Sequence, residues 1–162
     1  MDNFNRILVT GGAGFIGGTL IRKLLSDSNS IIYNIDSLNY ASDLNSINNL
    51  EKSKDRHVHL NVNLKNQKDT REALREANPD IIFHLAAESH VDRSIIGPKL
   101  FIDSNIIGTF NLLEASRSQW DRLSDTKKQH FKFIHISTDE VFGSLNKNGK
   151  FNENSNYDPK SP

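Results

Sequence analysis

Short apolar runs alternate with longer stretches of helical spacing along this chain. The runs are Ile7-Leu8-Val9, Ile31 to Asp36, His57 to Val62, Asp80 to Leu85 and Phe131 to Ile136. Between the first two, Ile16, Leu20, Ile21, Leu24 and Leu25 recur with helical spacing. A short helix is expected through Leu44, Ile47 and Leu50, followed by a charged turn from Glu51 to Arg56. The third run alternates with period two and predicts a more exposed strand, whereas Asp80 to Leu85 is nearly continuous apolar, as a strand buried on both faces should be. Gln67 to Ala77 predicts a helix capped by Asn66 and stopped by Asn78-Pro79. A long helix is expected from Pro98 to about Trp120, with Leu100, Phe101, Ile106, Ile107, Phe110, Leu112 and Leu113 making apolar contacts. Asp121 to His130 is charged and reads as a solvated connection, and the residues after Gly143 read as loop.

Strands alternating with helices imply α/β architecture with a parallel sheet and right-handed crossovers. The expected form is a Rossmann-like, doubly wound sheet in the order 3-2-1-4-5, whose switch point between strands 1 and 4 is where such sheets bind ligands.

One stretch gives that edge a chemistry. Gly11-Gly12-Ala13-Gly14-Phe15-Ile16-Gly17 joins the first strand to the first helix. Its spacing is G-x-x-G-x-x-G, and Gly11, Gly14 and Gly17 leave room for a tight turn and a close ligand. At such a helix N-terminus, unpaired N–H groups and the helix dipole suit a dinucleotide pyrophosphate. A glycine pattern alone equally fits an ordinary strand-to-helix turn. Asp36, closing the second strand, tips the reading towards a cofactor site. Its carboxylate can accept hydrogen bonds from an adenosine ribose and would repel a 2′-phosphate, favouring NAD over NADP. The polar stretch Ser37-Leu38-Asn39-Tyr40-Ala41 follows it, beside the expected adenosine.

Composition narrows the classes. The 162 residues suffice for one domain with a core, and 20 basic residues balance 20 acidic ones. That balance gives no reason to expect nucleic acid or an anionic membrane as partner. No apolar run approaches a membrane span, and the N-terminus lacks the pattern of a signal peptide. Without cysteine, thiolate chemistry is excluded, and a reducing, cytoplasmic setting is the default. His57 and His59 form an HxH pair, but with no third ligand evident nearby they read as solvated strand histidines, and no metal is expected. His84, inside an apolar strand, reads as packed or hydrogen-bonded.

Asp139 and Glu140 follow Ser137-Thr138 at the end of the fifth strand. An arbitrary Asp-Glu pair is usually a cap or a solvated turn. At the ligand edge, two carboxylates can divide acid and base roles if their surroundings separate them.

Three motifs together are similar to a known family: the glycine stretch, His84-Leu85-Ala86-Ala87-Glu88-Ser89-His90-Val91-Asp92-Arg93-Ser94, and His135-Ile136-Ser137-Thr138-Asp139-Glu140-Val141-Phe142-Gly143. They resemble the extended short-chain dehydrogenase/reductases and, within them, the dTDP-glucose 4,6-dehydratases. The likeness runs from Arg6 to Pro162, and its second and third motifs are more selective than the glycines. It implies that Phe15 and Ile16 border the pyrophosphate and that Asp36, Ser37, Leu38 and Asn39 hold the adenosine ribose. Asn63 and Leu64 stand where the family usually has Asp-Ile against the adenine. Leu85, Ala86 and Ala87 line the nicotinamide side, and Ser104 takes the place of a threonine near the cofactor. Ser89 and Thr138 touch a nucleotide-sugar substrate. With Thr138 beside them, Asp139 protonates the leaving C6 hydroxyl and Glu140 takes the C5 proton. In the reaction so implied, C4 is oxidised, water leaves across C5–C6 and hydride returns to C6. Phe142 replaces the family's usual tyrosine.

The resemblance further implies a Tyr-x-x-x-Lys pair, later strands, a sugar-nucleotide domain and a homodimer made with the long helix and a later helix beyond these residues. The 162 residues end before that pair, and Tyr157 matches a non-catalytic tyrosine of the same loop. The expectation is therefore an incomplete NAD-binding domain over residues 1–162, weakly active or inactive alone. Two alternatives stay open: a non-catalytic NAD-binding module, and another nucleotide-sugar dehydratase or 4-epimerase.

Overall fold

The computed structural model describes residues 4–39, 41–50, 54–145 and 149–160. Tyr40 of the expected adenosine loop, Glu51 to Ser53 of the charged turn, and the chain ends at 1–3 and 161–162 lie outside them, as does 146–148 of the final loop.

Five parallel strands form one sheet in the order β3-β2-β1-β4-β5, as the alternation predicts. They are β1 (Arg6–Thr10), β2 (Ile31–Ile35), β3 (His57–Leu60), β4 (Ile81–His84) and β5 (Lys132–His135). Alternate side chains feed two cores. Leu8, Tyr33, Ile35 and Ile82 pack with Ala73, Leu74, Ala77, Leu112 and Ala115 on one face. Ile7, Val9, Ile32, Ile81 and Phe83 pack with Ile21, Leu24, Leu25 and Ile47 on the other. Helices thus cover both faces: α1 (Phe15–Asp27) and α2 (Asn45–Asn48) on the second, and α3 (Gln67–Ala77) with the long helical region on the first.

The expected limits of α3 hold. Asn66 Oδ1 accepts from the N–H groups of Lys68 (3.1 Å) and Asp69 (3.3 Å), and Asn78 ends the helix in a left-handed conformation. Elsewhere the sequence reading needs correction. Ala86 to Arg93, after the fourth strand, reads in sequence as a loop of small and polar residues, but a helix, α4 (Val91–Ile96), begins inside it. The long helix is three pieces: α5 (Pro98–Phe101), a π-helical segment (Ile102–Gly108) and α6 (Thr109–Trp120). Of the seven apolar residues expected to make contacts only Phe101 and Leu112 are buried, while Leu100, Ile106, Ile107, Phe110 and Leu113 are exposed. Helical spacing cannot show which apolar side has a neighbour. The charged connection contains a short helix, α7 (Asp125–His130), onto which the Trp120 indole N–H folds by donating to the Lys128 carbonyl (3.2 Å). No helix among the described residues is long and apolar enough to cross a membrane.

Buried polar contacts fix the carboxyl edge of the sheet. Thr10 and His84, paired in register, end β1 and β4, and His84 is only 1% exposed. The imidazole Nδ1 lies 2.6 Å from Thr10 Oγ1 and Nε2 2.9 Å from Thr109 Oγ1. Burial, and then the neighbouring His135, push the His84 pKa from an ordinary 6.5 down to about 4. Folded His84 therefore stays neutral where the unfolded chain binds a proton, so stability falls as pH drops from 6.5 towards 4. The expected loss at the acid end is about 3 kcal/mol. Urea unfolding across this range checks it: His84→Phe should lose much less stability with acid, and an equal loss would remove His84 as the cause.

Candidate functional site

The carboxyl ends of the strands open into a cleft of about 1030 Å³ beside the β1/β4 switch point. That size is at the upper end for small-molecule sites. Its wall begins with the glycine turn. Gly11 has φ +69°, and a Cβ there would come within 2.8 Å of the Ala86 backbone. A Cβ on Gly17 would overlap the Gly11 carbonyl oxygen, so both positions need glycine for backbone packing. Helix α1 then starts at Phe15 with no side-chain cap and no acidic residue in its first turn. The Phe15 and Ile16 N–H groups make no backbone hydrogen bond among the described residues, and both side chains are exposed at the cleft mouth. Free donors at the positive end of a 13-residue helix are the arrangement that an anion needs.

Asp36 ties this turn to the next loop. Its Oδ2 accepts from the Ala13 N–H (3.0 Å), and Oδ1 accepts from the Leu38 N–H (2.9 Å) and the Ser42 hydroxyl (3.2 Å). The Asp43 N–H donates back to the Ala13 carbonyl (2.8 Å). An ionised carboxylate has about four lone-pair sites, so these three bonds leave capacity for one more donor. Free helical N–H groups, glycines at the backbone contacts and a carboxylate with a spare acceptor are a donor set that fits a dinucleotide.

Around the same cleft stand Gly14, Ser37, Asn39, Asn63, Leu64, Leu85, Ala86, Ala87, Ser89 and Ser104. Leu38 is outside its lining; it is exposed, with φ +51°, and contributes its N–H to Asp36. Asn63 turns its side chain to the Lys65 N–H (3.1 Å), whereas Leu64 is buried in the core. Ser104 sits in the π-helical segment. Its neighbour Asn105 clasps the loop after β4, accepting from the Glu88 N–H (2.8 Å) and donating to the Glu88 carbonyl (2.9 Å).

Thr138, Asp139 and Glu140 line the cleft where β5 runs into a single turn of 3-10 helix (Asp139–Phe142). Thr138 Oγ1 caps that turn, accepting from the Glu140 N–H (3.4 Å) and donating to Asp139 Oδ1 (3.4 Å). All three are exposed in this chain. Behind them Phe142 stacks between Phe151 and Tyr157, with ring centroids 5.2 and 5.6 Å away. Tyr157 is outside the cleft lining. His59 Nε2 meets the Asp36 carbonyl oxygen at 3.1 Å, and among the described residues no His, Cys, Asp and Glu cluster could hold a metal.

Sequence reasoning did not anticipate the bonds of Ser42 to Asp36, of Asn105 to Glu88, or of Thr10 and Thr109 to His84. Nor did it single out Asn34, which lies buried against Gly12 with neither side-chain polar atom partnered among the described residues. A polar residue inside an apolar run, as at Thr10 and Asn34, was the available signal.

Known proteins share this fold. A dTDP-glucose 4,6-dehydratase described as probable, from Sinorhizobium fredii, is 48% identical over 97% of this chain and 44% of its own length. The crystal structure of a Streptomyces venezuelae dTDP-glucose 4,6-dehydratase with NAD bound is 35% identical, with TM-score 0.80, over 96% of this chain and 46% of the other. The Thermus thermophilus UDP-glucose 4-epimerase complex with NAD is 28% identical at TM-score 0.80, over 96% and 45%. This chain thus spans less than half the length of these relatives. The family model described as GDP-mannose 4,6 dehydratase matches residues 8–162, and the chain belongs to that family.

Proposed function

We propose that residues 1–162 form the NAD-binding domain of a dTDP-glucose 4,6-dehydratase. The observation that carries this is the gathering, in one cleft at the switch point, of the glycine turn, Asp36, the Leu85–Ala87 backbone and the Thr138-Asp139-Glu140 corner. A dehydratase relative 48% identical to this chain supports the same reading.

Bound in the cleft, NAD would supply the hydride acceptor for oxidation at sugar C4 and the hydride returned to C6. The Phe15 and Ile16 N–H groups take the pyrophosphate, Asp36 accepts from a ribose hydroxyl, and Asn63 and Leu64 border the adenine. Leu85 to Ala87 and the Ser104 hydroxyl stand on the nicotinamide side. Ser89 and Thr138 contact the sugar nucleotide. A C4 ketone acidifies the adjacent C5–H. Glu140 takes that proton, the C5–H electron pair forms the C5–C6 double bond, and the C6 hydroxyl leaves as water with the proton of Asp139. A 4-epimerase is the second reading, favoured by the equal TM-score of 0.80. Epimerisation needs no elimination, so the acid pair weighs towards dehydration. The proposal includes a homodimer through the exposed face of Ile106, Phe110 and Leu113, and a cytoplasmic location that cell fractionation can check.

Calorimetric titration should give saturable NAD binding, with NADP weaker because Asp36 repels a 2′-phosphate. Asp36→Asn should weaken NAD about tenfold, the scale of one charge-assisted hydrogen bond, and narrow the preference. Equal affinity of the unmodified chain for both cofactors would contradict the role of Asp36.

A chimera tests the acid pair. Residues 8–162 would replace the matching segment of the Sinorhizobium fredii relative and be assayed with dTDP-glucose. The chimera should release a 4-keto-6-deoxy sugar nucleotide, and Asp139→Asn or Glu140→Gln should slow it by about 10²–10⁴-fold. Unchanged turnover in both variants would remove the pair from the chemistry, and a C4 epimer as product would favour the second reading.

A further inference from the structure

The Thr10–His84–Thr109 contacts continue into the cleft wall, because the Ala86 N–H donates to Thr10 Oγ1 at 3.2 Å. Thr10 is fully buried, so its one hydroxyl proton needs an acceptor within the protein, whereas Thr109 is half-buried and lines the open cleft. The partner in reach of that proton is Nδ1 of His84, 2.6 Å away. Nδ1 is then an acceptor, so the imidazole proton sits on Nε2 and is donated to Thr109 Oγ1, 2.9 Å away. The line has one direction, from Ala86 N–H to Thr10, from Thr10 to His84 and from His84 to α6.

Ala86 is also pressed from the other side. It packs so closely on Gly11 that a Cβ there would stand 2.8 Å from the Ala86 N and Cα atoms. A small shift of Ala86 would either collide with the glycine turn or open a gap beside it. Leu85 and Ala87, its neighbours, line the same cleft.

We infer that His84 is a positioning residue: its neutral Nε2–H tautomer links α6 to Thr10 and so holds the Ala86 backbone where a dinucleotide lies against it. The inference rests on the proposed reading of the cleft as a dinucleotide site. His84 itself is buried and lies outside the cleft lining. The titratable group facing it is His135, across the β4–β5 register at 5.1 Å between ring centroids, with Phe133 at 6.1 Å.

The test uses the whole chain with Thr10→Val, which keeps the side-chain shape, His84→Phe, and the double variant. Three quantities are read: imidazole ¹⁵N shifts of the unmodified protein, hydrogen exchange of the Ala86 amide, and the Kd for NAD. The shifts should report Nε2–H. Each single variant should speed Ala86 exchange and weaken NAD about tenfold, as loss of one buried hydrogen bond does. The double variant should be no worse than the singles, since both cut one line. An Nδ1–H tautomer, additive losses, or a folded Thr10→Val with unchanged Ala86 exchange would each overturn the inference. If His84→Phe does not fold, Thr10→Val decides. If the unmodified chain binds no NAD, the dinucleotide reading fails and the inference fails with it as a positioning role for the ligand; the tautomer and Ala86 exchange then report the hydrogen-bonded line alone.

Discussion

The contact on which the cleft depends is steric. Gly11, at the end of β1, meets the Ala86 backbone after β4 with no room for a Cβ between them. That closeness lets the β1 and β4 ends share a single wall. Gly17 repeats the constraint one turn later, where α1 must sit against the Gly11 carbonyl. Once these backbones pack, the start of α1 points its free N–H groups into the cleft, and Asp36 is near enough to bind Ala13. A glycine pattern therefore does two jobs here, packing and ligand access, and the packing is what the geometry displays directly.

The centre of the sheet was legible because β1, β2 and β4 are buried on both faces. Ile7 to Val9 and Ile81 to Phe83 allow hardly any alternative to central parallel strands, and the turn residues between elements fix the crossovers. The cleft was legible for the same reason: strand order sends the glycine turn, Leu85 to Ala87 and Thr138 to Glu140 to one edge. The misreadings share a cause as well. Sequence spacing reports which residues lie on one side of a helix and not whether a neighbour covers that side. Ile106, Phe110 and Leu113 keep helical spacing yet remain exposed. The π-helical segment was invisible because nothing in Ile102 to Gly108 breaks a helical pattern. Ser42 and Asn105 act through loops whose approach depends on the finished fold.

The two ends of the cleft are built differently. On the Asp36 side, hydrogen bonds from Ala13, Leu38 and Ser42 converge on one half-buried carboxylate. On the Asp139 side, the acids are exposed on a single 3-10 turn held by Thr138 and by the stacking of Phe142 on Phe151 and Tyr157. The strand before them, β5, is an edge of the sheet with Ile134 and Ile136 exposed. The dinucleotide side is thus formed by contacts internal to these residues, whereas a protected environment for the acids is not. This fits a chain that covers 44% of the length of its dehydratase relative.

The most direct measurement is an amide NMR titration of this chain with NAD. Saturable shift changes concentrated at Gly11 to Gly17, Asp36 to Asn39 and Leu85 to Ala87 are expected. Absence of saturable change, or changes centred away from the carboxyl edge of the sheet, would contradict the dinucleotide reading of the cleft.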